Sequence, residues 1–504
     1  MDTQAVLRKA GAYVLLAFSL VVMSPTAHSQ VWEATKFFRY NIENVTVAPT
    51  APGTWNVKVI FSVRNPSPDN PGTWDIRNAL PFTSAGASLT LDIGWDPGDF
   101  TNAGSANRLL SPVATTALGA GAAIPVQVRN LQTTGAFPCT SNVECPGVAD
   151  LTNRFWVARN ITPVGFTAPA AIGRVALEGK PVCNGVPGYN CPAAAPVPPT
   201  YQNIPVRSEV VSFTFTPADP ASAIIRDAKG NPADPRRQIV DIAKCQKCHD
   251  GKQHGATVVP RLSLHGNNRT ENLGLCVICH NPNQTDVPYR YKSADPRVAG
   301  PEVPIDFKVM VHSIHAGGFR TTPFTVVGFN SSFNDFSGVR FPAELRDCTK
   351  CHIDANGKGT FELPLKPGVL GTTVTTQSAY LASPATLTPL LAFAPGARTI
   401  DVDPSNDVKM SPTAAVCSSC HDRAEVKSHM VRTGGASFAT TQSAIGTTVR
   451  ERCASCHGPG KEEDVRKAHE IGSGSGSPGR TRDDRGRSPR SIRRAGGRGG
   501  SRRK

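Results

Sequence analysis

The chain has 504 residues, 14 of them cysteines, and a formal net charge of +15 at pH 7. Residues 471–504 contain ten Arg, one Lys and two Asp and so carry more than half of that charge, which leaves the rest of the chain close to neutral. The overall charge therefore does not indicate an anionic partner such as a nucleic acid.

Residues 1–29 have the pattern of a secretory signal peptide. A basic pair, Arg8 and Lys9, precedes an apolar run, and small residues around Ser29 follow it. The run is shorter than the roughly 20 apolar residues that a membrane span needs. No later stretch is long and apolar enough, so we predict an exported chain with no transmembrane span in its mature form. The first cysteine is Cys139, far beyond the apolar run, so the sequence does not predict a lipoprotein.

Residues 30–217 consist of short segments in which apolar and polar residues alternate, separated by Gly, Pro, Asn and Asp. In TWNVKVIFSVRNP, the side chains of Val57, Val59, Phe61 and Val63 share one face. Such strands are typical of antiparallel sandwiches and barrels, and the length is enough to bury a separate core. We therefore predict an all-β N-terminal domain, with further strands in SLTLDIGW, IPVQVRNL, RFWVARNI, IGRVALEG and SEVVSFTFTP.

Four cysteines of this domain form two local pairs in the sequence. Because exported proteins form disulfides, we predict Cys139–Cys145 and Cys183–Cys191 in preference to crossed pairing. Each disulfide is interpreted as a structural link that closes a loop. The alternative is that one of them is a redox switch.

A connector containing Pro and Gly, residues 218–237, leads into residues 238–470, where Cys-x-x-Cys-His occurs five times. This spacing indicates c-type haem attachment, in which both thiols form thioethers to the haem and the histidine binds the iron. Zinc also binds CxxC pairs, but zinc does not explain a histidine after every second cysteine. We therefore predict five covalently attached haems c, at Cys245/Cys248/His249, Cys276/Cys279/His280, Cys348/Cys351/His352, Cys417/Cys420/His421 and Cys453/Cys456/His457.

Six further histidines lie within residues 238–470, whereas residues 30–217 contain none. Five haems with bis-histidine iron need five distal ligands, so the region has one more candidate histidine than it needs. For any single histidine, the alternative is a solvated or core side chain that binds no metal. If all six had such roles, some histidines should also occur in the β domain. The candidates are His254, His265, His312, His315, His429 and His469.

His312 and His315 lie on a predicted short helix that begins after Asp306 and stops at the following glycines. At positions i and i+3 the two imidazoles are adjacent but diverge, which suits ligation of two neighbouring haems. His469 ends a second predicted helix over 462–468.

Several stretches resemble the OmcA/MtrC family of outer-membrane multihaem cytochromes and follow the order of one pentahaem domain of that family. They are VDIAKCQKCHDG, LSLHGNNRTENLGLCVICHNPN, DFKVMVHSIHAGGF, SPTAAVCSSCHD and CASCHGPGKEEDVRKAH. The resemblance implies a Greek-key split barrel before the pentahaem domain. It also implies a distal-ligand set that leaves His254 over: His265, His312, His315, His429 and His469.

The chain departs from that family in three ways. Family members usually have two β domains and two pentahaem domains, whereas this sequence predicts one of each. The surface-exposed members are lipoproteins, whereas this sequence has no lipobox cysteine. The C-terminal residues of this sequence also do not resemble those of the family. In the family a β-domain disulfide of similar spacing is linked to flavin binding, which is the basis of the redox-switch alternative.

Five haems leave too little protein for a side-chain core around each, so we expect the haems to form the core, wrapped by short helices and loops. The stretch from Pro364 to Pro412 has no His or Cys and is interpreted as a surface excursion. Residues 471–504 are predicted to be a disordered Arg/Gly-rich tail. A basic arm that binds acidic surfaces and an altered reading frame are its two interpretations, and we prefer the second.

The leading functional hypothesis is an electron-transfer conduit, because histidine can fill all ten axial positions. The predicted location is the periplasm, the outer-membrane surface or the extracellular space of a Gram-negative bacterium. The resemblance implies as partners other multihaem cytochromes or an outer-membrane porin–cytochrome conduit, and as acceptors ferric iron, minerals or flavin shuttles. One alternative is a multihaem reductase of a small oxyanion or sulfur compound with one open haem site. Another is a partner-docking β domain in which the haems are secondary.

Overall fold

The computed structural model describes residues 37–66, 71–95, 126–127, 136–161, 172–195, 197, 199–254, 257–258, 261–286, 301–328, 332–376 and 407–471. The predicted signal peptide, the tail beyond residue 471 and most of the IPVQVRNL segment lie outside the described residues. Among the described residues, no helix has the length and apolar character that crossing a membrane requires.

The described part of the N-terminal domain contains two main antiparallel sheets, as the alternating segments predicted, and one separate two-stranded ribbon. Its strands are β1 (Arg39–Ala51), β2 (Thr54–Asn65), β3 (Gly72–Thr73), β4 (Ser88–Trp95), β5 (Val126–Gln127), β6 (Ala136–Pro138), β7 (Phe155–Ile161), β8 (Ile172–Lys180), β9 (Ala193–Ala194), β10 (Thr200–Tyr201) and β11 (Glu209–Thr214), and helix α1 is Leu80–Thr83. The first sheet has the order β1-β2-β7-β6 with β3 on β2, and the second has the order β11-β8-β4-β5. The antiparallel all-β class is confirmed, and the Greek-key connection stays a prediction.

Strand β2 shows how this sequence forms the core. Val57, Val59, Phe61 and Val63 are all buried in the apolar cluster between the sheets. On the opposite face of β2, Ile60 is also buried, because the loop closed by a disulfide covers it. Both predicted disulfides are confirmed: the Cα atoms lie 5.8 Å apart in Cys139–Cys145 and 5.2 Å apart in Cys183–Cys191.

Strand β1 is the longest strand of this domain, yet its alternation does not stand out in the sequence. The register with β2 shifts between Ile42 and Asn44, so the side chains on either side of this bulge do not follow one period of two. Asn44 is buried, and its amide donates to the backbone carbonyls of Pro146 and Ala221 at 2.8 Å each. A polar residue in the interior therefore interrupts the apolar pattern.

The second sheet is buried on both faces, since every residue of β8 from Gly173 to Gly179 is buried. Val175 and Leu177 face the core between the sheets, where Phe213 lies over Gly173 and a Cβ atom would meet its ring at 2.1 Å. Ala176 faces the opposite way and packs against the haem-motif region. The β domain therefore contributes one sheet to an interface with the rest of the chain.

The predicted connector, residues 218–237, packs partly on the β domain. Ala223 and Ile224 are buried in the core of the sandwich. The backbone N–H of Ala223 donates to the carbonyl of Val45 at 2.7 Å. The start of this segment is therefore part of the folded domain.

The region with the five motifs contains short helices and two-stranded ribbons. Its helices are α2 (Ile242–Cys245), α3 (Leu273–Cys279), α4 (Phe307–His315), α5 (Pro412–Cys417), α6 (Ala424–Arg432), α7 (Ala454–His457) and α8 (Val465–Ala468). Its strands are β12 (Gln253–His254), β13 (Thr257–Val258), β14 (Ser263–Leu264), β15 (Arg269–Thr270), β16 (Thr325–Val327), β17 (Phe333–Asp335), β18 (Asp354–Ala355), β19 (Lys358–Gly359), β20 (Thr372–Thr375) and β21 (Val408–Met410). The ribbons pair β12 with β13, β14 with β15, β16 with β17, β18 with β19 and β20 with β21.

Three local expectations need refinement. Helix α4 begins after Asp306 as predicted, but the Asp306 carboxylate bonds to Lys308 and Thr372 instead of capping the helix. Helix α8 begins later than predicted, because Asp464 caps it by accepting from the N–H of Arg466 at 2.8 Å. The two ends of the expected surface excursion are interior, since β20 and β21 pair with each other and Thr372 and Lys409 are buried.

Candidate haem-binding sites

Each motif histidine has one non-motif histidine opposite it. The distances between ring centroids are 6.1 Å for His249–His315, 6.0 Å for His280–His265, 5.9 Å for His352–His312, 6.1 Å for His421–His469 and 6.3 Å for His457–His429. Every pair joins one histidine of a CxxCH motif with one of the five histidines that the family resemblance implied as distal ligands.

The spacing of these pairs fits an iron atom held between two imidazoles. A metal–imidazole nitrogen distance of about 2 Å on each side, plus about 1 Å from nitrogen to ring centre, separates the centroids by about 6 Å. The interplanar angles range from 2° to 90° although the separation stays between 5.9 and 6.3 Å. Rotation about a shared metal–nitrogen axis changes the angle and leaves the separation constant, so this pattern is the one that axial ligation requires.

All five motifs adopt the same local fold. In each, the backbone N–H of the histidine donates to the carbonyl of the first cysteine, at 2.8 to 2.9 Å. This is the i to i−4 bond of one helical turn, which brings the first thiol and the imidazole close together. The CxxCH spacing thus specifies a turn that can present two thiols and one imidazole to one haem.

Several imidazoles are oriented by a hydrogen bond at Nδ1. His280 Nδ1 donates to the Ile305 carbonyl at 2.9 Å, and His457 Nδ1 donates to the Glu463 carbonyl at 3.0 Å. On the distal side, His315 and His469 donate to carbonyls one turn back in their own segments, Val311 at 2.8 Å and Val465 at 2.9 Å. A proton held on Nδ1 leaves Nε2 free to bind a metal.

Desolvation lowers the pKa of several histidines in these pairs and so favours their neutral form. It lowers the pKa of His265 and of His352 to about 3, and that of His280 to about 4. The pKa values of three more are lowered by the same cause: His312, His315 and His421. Because the neutral imidazole is the form that binds a metal, these side chains are ready to act as ligands at neutral pH.

Helix α4 links two of the histidine pairs. His312 faces His352 of the third motif, and His315 faces His249 of the first. The same two motifs meet at their thiols, since a hydrogen bond with Cys245 lowers the pKa of Cys351 to about 7. The first and third sites are therefore neighbours, which is the arrangement that i and i+3 spacing predicts.

The remaining motifs lie near this pair or near one another. Burial raises the pKa of the Cys417 thiol to about 12, and the nearby thiols of Cys453 and Cys348 raise it further, so the fourth motif lies near both the fifth and the third. The second motif lies at the start of α4, where the N–H of Phe307 donates to the His280 carbonyl at 3.0 Å.

Two arginines support these sites from distant parts of the chain. Arg466 of α8 bonds to Asp354 and to Glu362 at 2.5 Å, and its guanidinium lies 5.0 Å from the centre of the Phe361 ring. Arg320 donates to the Ser418 carbonyl of the fourth motif at 3.3 Å. Neither arginine is identifiable from the sequence, because the partners lie about a hundred residues away and leave no local pattern.

His254 lies on β12, and its role as the spare histidine stays a prediction. A zinc site needs three or four converging ligands, and the described residues contain no group of three or more His, Cys, Asp and Glu side chains able to hold a metal ion.

Residues 237–470 match a family model described as outer membrane cytochrome MtrC/MtrF-like, domains II/IV. No curated protein matches the chain. The family model covers just under half of the chain, and the matched part is the region that carries the motifs and the histidine pairs. This match supports c-type haem as the cofactor class and multihaem electron transfer as the class of function. Residues 237–470 are therefore similar to the MtrC/OmcA-like outer membrane cytochromes.

Proposed function

We propose that the chain is a pentahaem c-type cytochrome of the MtrC/OmcA-like family that transfers electrons outside the cytoplasm. The observation that carries this proposal is the set of five histidine pairs, each with one motif histidine and one non-motif histidine about 6 Å apart.

The residues take three roles in this proposal. The thioether positions are Cys245, Cys248, Cys276, Cys279, Cys348, Cys351, Cys417, Cys420, Cys453 and Cys456. The proximal ligands are His249, His280, His352, His421 and His457, and the distal ligands are His315, His265, His312, His469 and His429 in the same order.

Haem c, when bound, supplies a one-electron iron couple whose potential depends on its axial ligands, its burial and its hydrogen bonds. Two imidazoles at each site leave no axial position for a substrate, which favours electron transfer over a substrate-specific reductase. The hydrogen bond between Cys245 and Cys351 and the nearness of Cys417 to Cys348 and Cys453 support neighbouring sites, with the first beside the third and the fourth near the third and fifth. The second site lies beside the start of α4.

The acceptors and partners follow from the similarity. Ferric iron, minerals and flavin shuttles are the proposed acceptors, and other multihaem cytochromes or a porin–cytochrome conduit are the proposed partners. The proposed location is the outside of the inner membrane: periplasm, outer-membrane surface or extracellular space.

Mass spectrometry and two variants test this proposal. The exported protein should carry five covalent haems and lack residues up to about 29. The His265→Ala variant should convert one haem to the high-spin state, because it loses its sixth ligand. The matched His254→Ala variant should leave every haem low-spin. Fewer than five haems, or the opposite response of the two variants, would contradict the assignment.

A further inference from the structure

The distal histidine of the second site lies in an unusual turn. Residues 265–268 connect β14 to β15, and the first three, His265, Gly266 and Asn267, have positive φ angles of 52°, 67° and 68°. Left-handed backbone is disfavoured for residues with a side chain, so His265 and Asn267 need support from their surroundings. Asn268 gives part of it by donating its side-chain amide to the His265 carbonyl at 2.9 Å.

The β domain holds the far side of this turn. The N–H of Gly179, in β8, donates to the Asn268 carbonyl at 2.9 Å. The Ser88 hydroxyl, at the start of β4, donates to the side-chain oxygen of the same Asn268. A Cβ atom on Gly179 would lie 2.3 Å from the Ser88 carbonyl oxygen, so the two strands approach each other closely at this point.

An ion pair anchors the strand that follows the turn. Glu178 of β8 accepts two bonds from Arg269 of β15, from Nε at 2.7 Å and from Nη2 at 3.0 Å. The Glu178 side chain is only 3% exposed. Because the Glu178 carboxylate is buried and the pair is bidentate, the ion pair fixes both the distance and the orientation between the carboxylate and the Arg269 guanidinium.

The next residues extend the same attachment. The N–H of Ser208 donates to the Thr270 carbonyl at 3.0 Å, and the N–H of Thr270 donates to the Ser208 hydroxyl at 3.2 Å. Asn272, which caps α3, donates its side-chain amide to the Ser208 carbonyl at 2.8 Å. Four residues of this segment are therefore bonded to the β domain: Asn268, Arg269, Thr270 and Asn272.

The proximal half of the second site packs on the same sheet. Ala176 of β8 forms an apolar cluster with Leu275, Ile278 and Cys279 of α3. Because α3 leads directly into His280, the β domain supports both histidines of this pair. Helix α3 also lies against β11, and β15 lies against β8, so both contacts with the sheet belong to this site.

We propose that Glu178 is a positioning residue for His265, so that the β domain is a structural part of the second haem site. This inference rests on the proposed function, because it takes His265 as an axial ligand. It assigns to the β domain a task other than docking a partner: that domain keeps one distal ligand in reach of its iron.

The test compares the spin states of the full-length, haem-loaded protein and its variants by electron paramagnetic resonance. Glu178→Ala should raise the high-spin fraction from near zero toward one-fifth of the haems and should create about one carbon monoxide site per reduced chain. The double variant Glu178→Ala/Arg269→Ala should do the same, although it leaves no unpaired buried charge. Glu178→Asp, which keeps the charge, should recover most of the low-spin signal, and the double variant carries the test if Glu178→Ala alone does not accumulate.

Glu43→Ala is the matched control. Glu43 pairs with Arg64 at 3.0 Å and Arg154 at 3.3 Å within the β domain, and its side chain is 12% exposed. This variant should keep all haems low-spin.

Three results would overturn the inference: low-spin haems throughout in Glu178→Ala, an effect in the single variant that vanishes in the double variant, or the same effect in Glu43→Ala. A wild-type protein with fewer than five haems or with a high-spin haem would instead contradict the proposed function.

Discussion

The two regions of this chain use different kinds of interior. The β domain has one continuous apolar core shared by both sheets. In the described part of the motif region, an apolar cluster such as Ala414, Met430 and Ala436 is small, and buried polar groups are common. Lys409, 1% exposed, donates to Asn283 at 2.7 Å and to Thr373 at 2.8 Å.

This difference shows where the folding free energy of each region comes from. A continuous apolar core stabilises the β domain without a cofactor. The motif region has histidine pairs where a core would lie, so bound haem must supply the apolar contacts that hold it together. We therefore expect the β domain to fold alone and the motif region to depend on its haems.

The largest expected effect comes from preventing haem attachment altogether. A chain with all ten motif cysteines replaced by serine should retain a protease-resistant β domain and lose ordered structure in residues 237–470, because the histidine pairs then have nothing to hold. Limited proteolysis with mass spectrometry of the fragments measures this. A motif region that stays protease-resistant without haem would contradict the expectation that this region, unlike the β domain, depends on haem to fold.

A smaller effect is expected from a cavity in the β domain. Phe61 is 1% exposed, so Phe61→Ala should lower the free energy of unfolding of this domain by about 3–5 kcal/mol. Calorimetry should show the shift while the visible spectrum of the haems stays unchanged. Val143→Ala, at a side chain that is 90% exposed, is the control and should change neither. A simultaneous loss of haem ligation would mean that the first sheet also supports the sites.

The smallest effect concerns the pH dependence at the interface between the regions. Burial, reinforced by the nearby Glu178, raises the pKa of Asp92 well above its usual range, although Arg269 opposes the shift. A carboxyl with a raised folded pKa binds more protons when folded, so stability falls as pH rises from about 3.9 through the folded pKa. Asp92→Asn should reduce this fall, and the part that remains should come from Glu178, whose pKa is also raised by burial.

Unfolding measured across that pH range checks the prediction. Glu425→Gln, on the exposed side of α6, is the control and should leave the slope unchanged. An unchanged slope in Asp92→Asn would show that Asp92 is not protonated in the folded protein.

The features that the sequence predicts well are those encoded locally. The alternation in β2 and the two disulfide pairs are read within a few neighbouring residues, and the structure confirms them. The CxxCH turns are equally local. Strand β1 escaped prediction because a bulge at Ile42–Asn44 and the buried Asn44 disturb its alternation.

The features that the sequence does not predict depend on distant partners. Glu178 and Arg269 are 91 residues apart, and Arg466 and Asp354 are 112 residues apart. Nothing near either residue of a pair indicates the other. The interior position of Thr372 and Lys409 was missed for the same reason, since their pairing strands enclose a long stretch with no His or Cys.

The most direct test of the central claim is the spin state of the resting ferric protein. Electron paramagnetic resonance, quantified against the haem content per chain, should show five low-spin haems with bis-histidine ligation and no high-spin signal. A high-spin signal from about one haem in five would contradict the claim that every motif histidine has a histidine partner across its iron.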